Sequence, residues 1–296
     1  MSSLESKVDP ALLARVLDWA SDIEAFEKHH AVDGVFHAGG FCIPPFDSDP
    51  ETLFLLALDV AFWFWIDDRS DKCLLNESSP FDWDDFIGFV EGITSGARSV
   101  EDLSPEKRFV LRLSELLKGS TTSAAGHDFW LMTVCRVSRG MRFEETAHRN
   151  GHVPSYLECI EYCMRSTAIP NILATASLVC EIDRAARQAE MTVWDIERCF
   201  CIHQRLLNDL KTYRAERHEG HEGKITNLVL LMERIVGIDK AVRFVTNDLA
   251  RIENTLMELA ERLGREDPFV QLILYAKNNI SKWYGLAPAR YQNMSL

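Results

Sequence analysis

The sequence predicts an all-α fold, and three observations carry that expectation. Apolar residues recur at helical spacing along nearly the whole chain, convincing period-2 alternation is absent, and the connections between periodic stretches are short. Together they predict about ten helices in a bundle, with residues 1–296 forming a single domain.

The elements follow in order. The stretch DPALLARVLDWASDIEAFEKHHAV offers Asp9 as N-cap and Pro10 at the first helical position, with Leu12, Leu13, Val16, Leu17, Trp19 and Ala20 as its apolar stripe. DPETLFLLALDVAFWFWIDD starts the same way, at Asp49 and Pro50. It is roughly 20 residues long and apolar almost all round, which suits a helix in the middle of a large bundle. Further helices are expected near 81–97, 104–118, 127–149, 154–181, 192–215, 225–235, 238–263 and 267–284. No internal repeat, low-complexity tract or linker divides them.

Composition narrows the function. The formal net charge is −13, from 45 acidic against 32 basic residues, which disfavours a nucleic-acid surface because that needs a basic field. Charged residues make up 26% and hydrophobic residues 47%, so a packed core rather than disorder is expected. The eight cysteines show no CxxC pair and no zinc-like spacing; free thiols in a reducing, cytoplasmic setting are the expectation. The first residues, MSSLESKVDPALL, lack a basic flank followed by an apolar run, and nowhere do 18 apolar residues run uninterrupted. Neither a signal peptide nor membrane insertion is expected.

Two acidic constellations stand out. In WFWIDDRSDKC, residues 63–73, an apolar helix runs into Asp67, Asp68 and Asp71. Asp67 and Asp71 lie four apart and share a helix face, with Trp63 and Phe64 on roughly the same side. Carboxylates left dry and unpaired would cost several kcal/mol each, about the penalty of any buried charge. A solvated helix end removes that cost; so does a hard divalent cation such as Mg²⁺. In QRLLNDLKTYRAERHEG, Asn208, Thr212 and Glu216 fall at i, i+4 and i+8. Their oxygens lie within ~80° on one helix face and make a hard-cation donor set. An exposed polar stripe would have the same spacing. Arg205 projects to the same side.

Taken together, these segments resemble the class I terpene synthases of the short microbial type, and the resemblance covers nearly the whole chain. Asp67, Asp68 and Asp71 match the aspartate-rich motif; Asn208, Asp209, Thr212 and Glu216 match NDxx(S/T)xxxE in full; Arg290 and Tyr291, in APARYQ, match a terminal Arg–Tyr pair. The resemblance implies that Asp67, Asp68, Asp71, Asn208, Thr212 and Glu216 hold three Mg²⁺ ions, which hold a prenyl diphosphate substrate. It implies diphosphate contacts from Arg165, Arg205, Arg290 and Tyr291, with Lys211 a lesser candidate. Arg165 matches the diphosphate-sensing arginine of a helix that Pro170 should break. Ala168 and Ile169 stand there where many bacterial relatives carry Asp and Gly. Trp63, Phe64, Trp283 and Tyr284 would line the pocket, where aromatic faces attract cations; Phe62 and Trp65, on other faces, read as core.

The layout looks most like small bacterial diterpene synthases. It favours a C20 substrate, geranylgeranyl diphosphate or a bicyclic C20 diphosphate supplied by a separate class II cyclase, over a sesquiterpene synthase acting on farnesyl diphosphate. A homodimer is compatible with this reading. Prenyl chain elongation, a neighbouring activity, would call for a second aspartate-rich motif in place of Asn208, Thr212 and Glu216. A different class comes from two Glu-x-x-His pairs, Glu27 with His30 and Glu145 with His148, the signature of di-iron bundles. The further glutamates such a centre needs are not evident in apolar helix stripes. A non-catalytic helical interaction module gives no reason for both oxygen-rich motifs.

Overall fold

The structure is a computed structural model that describes residues 8–74, 81–93, 103–121, 123–218 and 227–286; for residues 71–74, 163, 215, 218 and 281–286 it describes the backbone alone. The described residues form helices and connecting turns, with no strand among them. In order these are α1 (Pro10–Trp19), α2 (Lys28–Ala38), α3 (Pro50–Leu74), α4 (Trp83–Ile93), α5 (Pro105–Ser120), α6 (Ala124–Arg149), α7 (Tyr156–Ser166), α8 (Ile169–Val179), α9 (Met191–His218), α10 (Leu228–Val236), α11 (Ile238–Leu263) and α12 (Pro268–Leu286). A single 3₁₀ turn, Phe46–Ser48, precedes α3.

Local chemistry sets the boundaries. Asp9 accepts from the Ala11 and Leu12 amides at 2.8 and 3.2 Å, and Pro10 opens α1. Asp49 accepts from the Thr52 amide at 2.9 Å and its hydroxyl at 2.6 Å at the head of α3. The first periodic segment, read from Asp9 into the histidines, divides after Ala20, and α2 begins only at Lys28. A reciprocal cap marks that second start: the Glu27 side chain accepts from the backbone of His30, and His30 Nδ1 accepts the Glu27 amide at 2.9 Å. The expected helix near 154–181 is likewise two, ending at Ser166 and restarting at Ile169 with Pro170 in its first turn.

Helix α3 runs through the middle. It packs on α2, α8, α5, α1 and α6, which explains its apolarity on every side. Its contact with α2 is a backbone approach: a Cβ on Gly34 would lie 2.4 Å from the Ala57 carbonyl oxygen and 2.7 Å from the Ala61 Cβ. Phe62 and Trp65 pack in the core around Phe109, as their faces predict. This main core takes side chains from α1 to α6, α8 and α12, with Val193, Ile196 and Phe200 from the first half of α9 and Leu256, Leu259 and Ala260 from the end of α11. A second cluster joins Cys159 of α7, Ile202 and Leu206 of α9, Leu228, Val229 and Leu231 of α10, and Ala241 and Val245 of α11. The two oxygen-rich motifs therefore stand on different cores, and α8 touches both helices that carry them.

Candidate active site

The aspartate-rich motif occupies the last turns of α3. Asp67 is exposed, and Asp71 belongs to the helix with its side chain outside the described residues. Asp68 is directed to α2: its Oδ2 lies 3.1 Å from His29 Nε2 and 3.2 Å from His30 Nε2. These three residues bring one ligand atom each within 4.8 Å of one another. The cap on α2 decides what they do. His30 Nδ1 already receives the Glu27 N–H, so the neutral ring carries its proton on Nε2, which sits 3.2 Å from Asp68 without the alignment of a hydrogen bond; the hydrogen bond to Asp68 comes from His29. The hydrogen bond and charge of Asp68 raise the His29 pKa, whereas burial lowers that of His30. Between these aspartates, Arg69 turns the other way and pairs with the buried Glu106 of α5.

Below the motif the helix enters a buried polar network. Trp63, only 4% exposed, donates from Nε1 to Asn171 Oδ1 at 2.7 Å, and Asn171 donates to Thr133 Oγ1 at 2.9 Å and to the Trp130 carbonyl at 3.3 Å. Trp63 is thus held by α8 and α6 on its polar edge. Phe64 is half-buried and stacks on His37, ring centroids 5.2 Å apart. Two turns down, burial pushes the carboxyl of Asp59 up to about 7, against the Thr175 hydroxyl and Trp130 indole beside it.

The second motif lies on α9. Asn208, Lys211 and Glu216 are half-buried and Thr212 is buried. The Thr212 hydroxyl donates to the Asn208 carbonyl at 3.1 Å and accepts from Asn227 Nδ2 at 3.2 Å. Asp209, the motif residue between them, faces inward: it accepts the Leu228 amide at 2.8 Å and pairs with Arg205 Nε at 3.0 Å. Burial raises its pKa to about 6, with Arg205 opposing that shift and Glu216 adding to it. Arg205 is half-buried and held to Asp209 by Nε.

Arg165 is exposed at the end of α7 and lies 3.5 Å from Glu161. Its backbone is pressed against α6, where a Cβ on Gly140 would fall 2.2 Å from both the carbonyl carbon and the oxygen of Arg165. Ala168 caps α8, its carbonyl accepting the Asn171 and Ile172 amides at 3.0 Å, and Ile169 begins that helix; both are half-buried. Trp283 and Tyr284 are in the last turn of α12 with side chains outside the described residues, and Arg290 and Tyr291 lie outside them altogether.

The Glu-x-x-His pairs have other employment. Glu27 and His30 cap α2. Glu145 is buried and bridges helices, accepting from Trp83 Nε1 at 2.6 Å and pairing with Arg149 at 2.6 Å. Sequence reasoning singled out neither His29 and His30 as partners of Asp68 nor Asn227 as a partner of Thr212. The dipeptide HH gave no spacing signal toward α3, but Asn227 before an apolar run was a legible N-cap.

Residues 60–256 match the family model of terpene synthase family 2, C-terminal metal binding. The chain belongs to this family and is a class I terpene synthase, a lyase acting on prenyl diphosphates. No curated protein matches the sequence. Among solved structures, linalool/nerolidol synthase from Streptomyces clavuligerus superposes with a TM-score of 0.72 at 18% identity, covering 94% of this chain and 96% of that one. The 2-methylisoborneol synthase from Streptomyces coelicolor A3(2), in complex with Mg²⁺ and geranyl-S-thiolodiphosphate, gives 0.73 at 14%, covering 98% and 94%. An ancestrally reconstructed protein, SVS_A2, gives 0.75 at 13%, covering 96% and 87%. At these identities the likeness is one of fold. Among the described residues no helix is long and apolar enough to cross a membrane.

Proposed function

We propose that the chain ionises a C20 prenyl diphosphate and cyclises the resulting allylic cation. The substrate would be geranylgeranyl diphosphate or a bicyclic C20 diphosphate made by a separate class II cyclase. The carbon–oxygen bond breaks with its electron pair leaving on diphosphate. Ring closure follows, and loss of a proton or capture of water ends the cascade as a terpene hydrocarbon or alcohol. The observation that carries the reading is the donor face of α9. Asn208, Thr212 and Glu216 follow one another by four, and the Thr212 hydroxyl has its proton and one lone pair already committed. The remaining lone pair suits a hard cation, as do the amide and carboxylate oxygens beside it.

Asn208, Thr212 and Glu216 would hold Mg²⁺ from one side, and Asp67, Asp68 and Asp71 from the other, three ions in all. Bound there, Mg²⁺ supplies electrostatic stabilisation of the charge that gathers on the departing diphosphate. A complex of 2-methylisoborneol synthase with Mg²⁺ and a thiolodiphosphate supports this choice of metal and substrate class. Arg165, Arg205, Arg290 and Tyr291 would orient the diphosphate oxygens by charge-assisted hydrogen bonds. Trp63, Phe64, Ala168, Ile169, Trp283 and Tyr284 would wall the hydrocarbon chain, exclude water and offer aromatic faces to the cation. We place this chemistry in one domain spanning 1–296, in the cytoplasm, in a monomer or homodimer. Incubation with C10, C15 and C20 diphosphates plus Mg²⁺, read by gas chromatography–mass spectrometry, tests it. Cyclic C20 products are expected; cyclic products from farnesyl diphosphate alone would move the assignment to sesquiterpenes, and no product from any would refute it.

A further inference from the structure

We infer that Asn227 is a positioning residue for the cation-binding face of α9; the inference rests on the function proposed above. Asn227 lies 1% exposed at the head of α10, outside both oxygen-rich motifs. Its two ends do different things. The side-chain oxygen accepts the Val229 and Leu230 amides at 3.0 and 3.3 Å, which caps α10. The side-chain nitrogen donates to the Asp209 carbonyl at 3.2 Å and to Thr212 Oγ1 at 3.2 Å.

The second pair of bonds has a consequence for Thr212. A hydroxyl has one proton and two lone pairs. The proton goes to the Asn208 carbonyl, one turn back. The Asn227 amide takes one lone pair, which leaves a single lone pair and fixes its direction. Without Asn227 the hydroxyl would keep two free lone pairs and a rotor able to turn away from a cation. The Asp209 carboxylate braces the same junction from the other helix by accepting the Leu228 amide at 2.8 Å, so α9 and α10 are latched at neighbouring points. A cap alone requires only the oxygen of Asn227; an aspartate or serine would serve. The donor half is what a cap does not explain.

The test separates the two halves. Asn227→Asp keeps an acceptor for the α10 amides and loses both donated bonds; Asn227→Ser keeps a neutral cap too short to reach Thr212. Manganese(II) binding is followed by electron paramagnetic resonance in the presence of inorganic pyrophosphate, alongside circular-dichroism melting of the metal-free proteins. Wild-type protein should bind Mn²⁺; if it does not, the proposed function itself fails. Given that binding, both variants should melt cooperatively and bind Mn²⁺ about 10-fold more weakly, the usual loss when the partner of a metal ligand is removed. In a Thr212→Ala background the same substitutions should cost no further affinity. Wild-type affinity in the folded variants overturns the inference. So does failure of both to fold, which would assign Asn227 to holding the helices together.

Discussion

At the end of α3, Asp67 is exposed and Asp68 leans on two histidines borrowed from α2, one of them exposed. In α9 the support is internal and dry: Asp209 and Asn227 are each 1% exposed and bond to one another's helices. Both regions bear oxygen donors, yet one presents a charged tip steadied at its surface, and the other a face whose orientation is set from behind. The difference follows from what stands beneath each. α3 emerges from the main apolar core, with Arg69 and Glu106 anchoring its last turns to α5. α9 lays Ile202 and Leu206 on a second, smaller cluster, where α7, α10 and α11 pack against it. Buried polar contacts of that kind are costly when half satisfied, so they specify one arrangement.

The largest effect should come from the braced face. Asn208→Ala and Glu216→Gln should each lower diphosphate release by about 100-fold or more while melting within a few degrees of wild type, since in the proposed function the half-buried oxygens there meet ligand rather than core. Release at the wild-type rate in either would remove α9 from the site. Next comes the pair at the tip of α3. Asp67→Asn should cost about 10- to 100-fold, and Asp68→Asn less, because an amide in that place still accepts from His29 through its oxygen. Steady-state release at saturating Mg²⁺ measures both, and a larger loss from Asp68→Asn would mean that its carboxylate, not its partners, governs the site.

The smallest effect tests the helix break that lies between the two regions. Gly140→Ala would press a methyl group onto the Arg165 carbonyl, 2.2 Å from its oxygen. Overpacking of that kind costs roughly 1–3 kcal/mol. A fall of several degrees in melting temperature is expected, with turnover reduced in proportion to any displacement of Arg165. An unchanged melting curve would show that α6 and α7 tolerate separation.

Much of this was legible in the sequence, for reasons that can be traced residue by residue. Asp9, Pro10, Asp49 and Pro50 are local signals, and the helix starts they predict are where the chain puts them. The all-round apolarity of α3 predicted its central place, and Pro170 predicted an interruption between α7 and α8. The break after Ala20 was not legible, because its cap pairs Glu27 with a histidine, and His30 in that position reads equally as a ligand. The partnership of Asp68 with His29 and His30 was hidden for a different reason. It spans two helices, and its geometry depends on the close approach that Gly34 permits. Asp209 shows the limit of a motif: it matched the pattern without being read as a donor, and only the packing of α10 shows that it faces inward.

The central claim is that two oxygen-rich helices serve one diphosphate through divalent cations. It is tested most directly by pyrophosphate release from geranylgeranyl diphosphate, and from farnesyl diphosphate in parallel, with Mg²⁺ and with excess chelator. Release should saturate with Mg²⁺, fall to background with chelator and return when Mg²⁺ is restored. Full turnover in chelator would contradict the account.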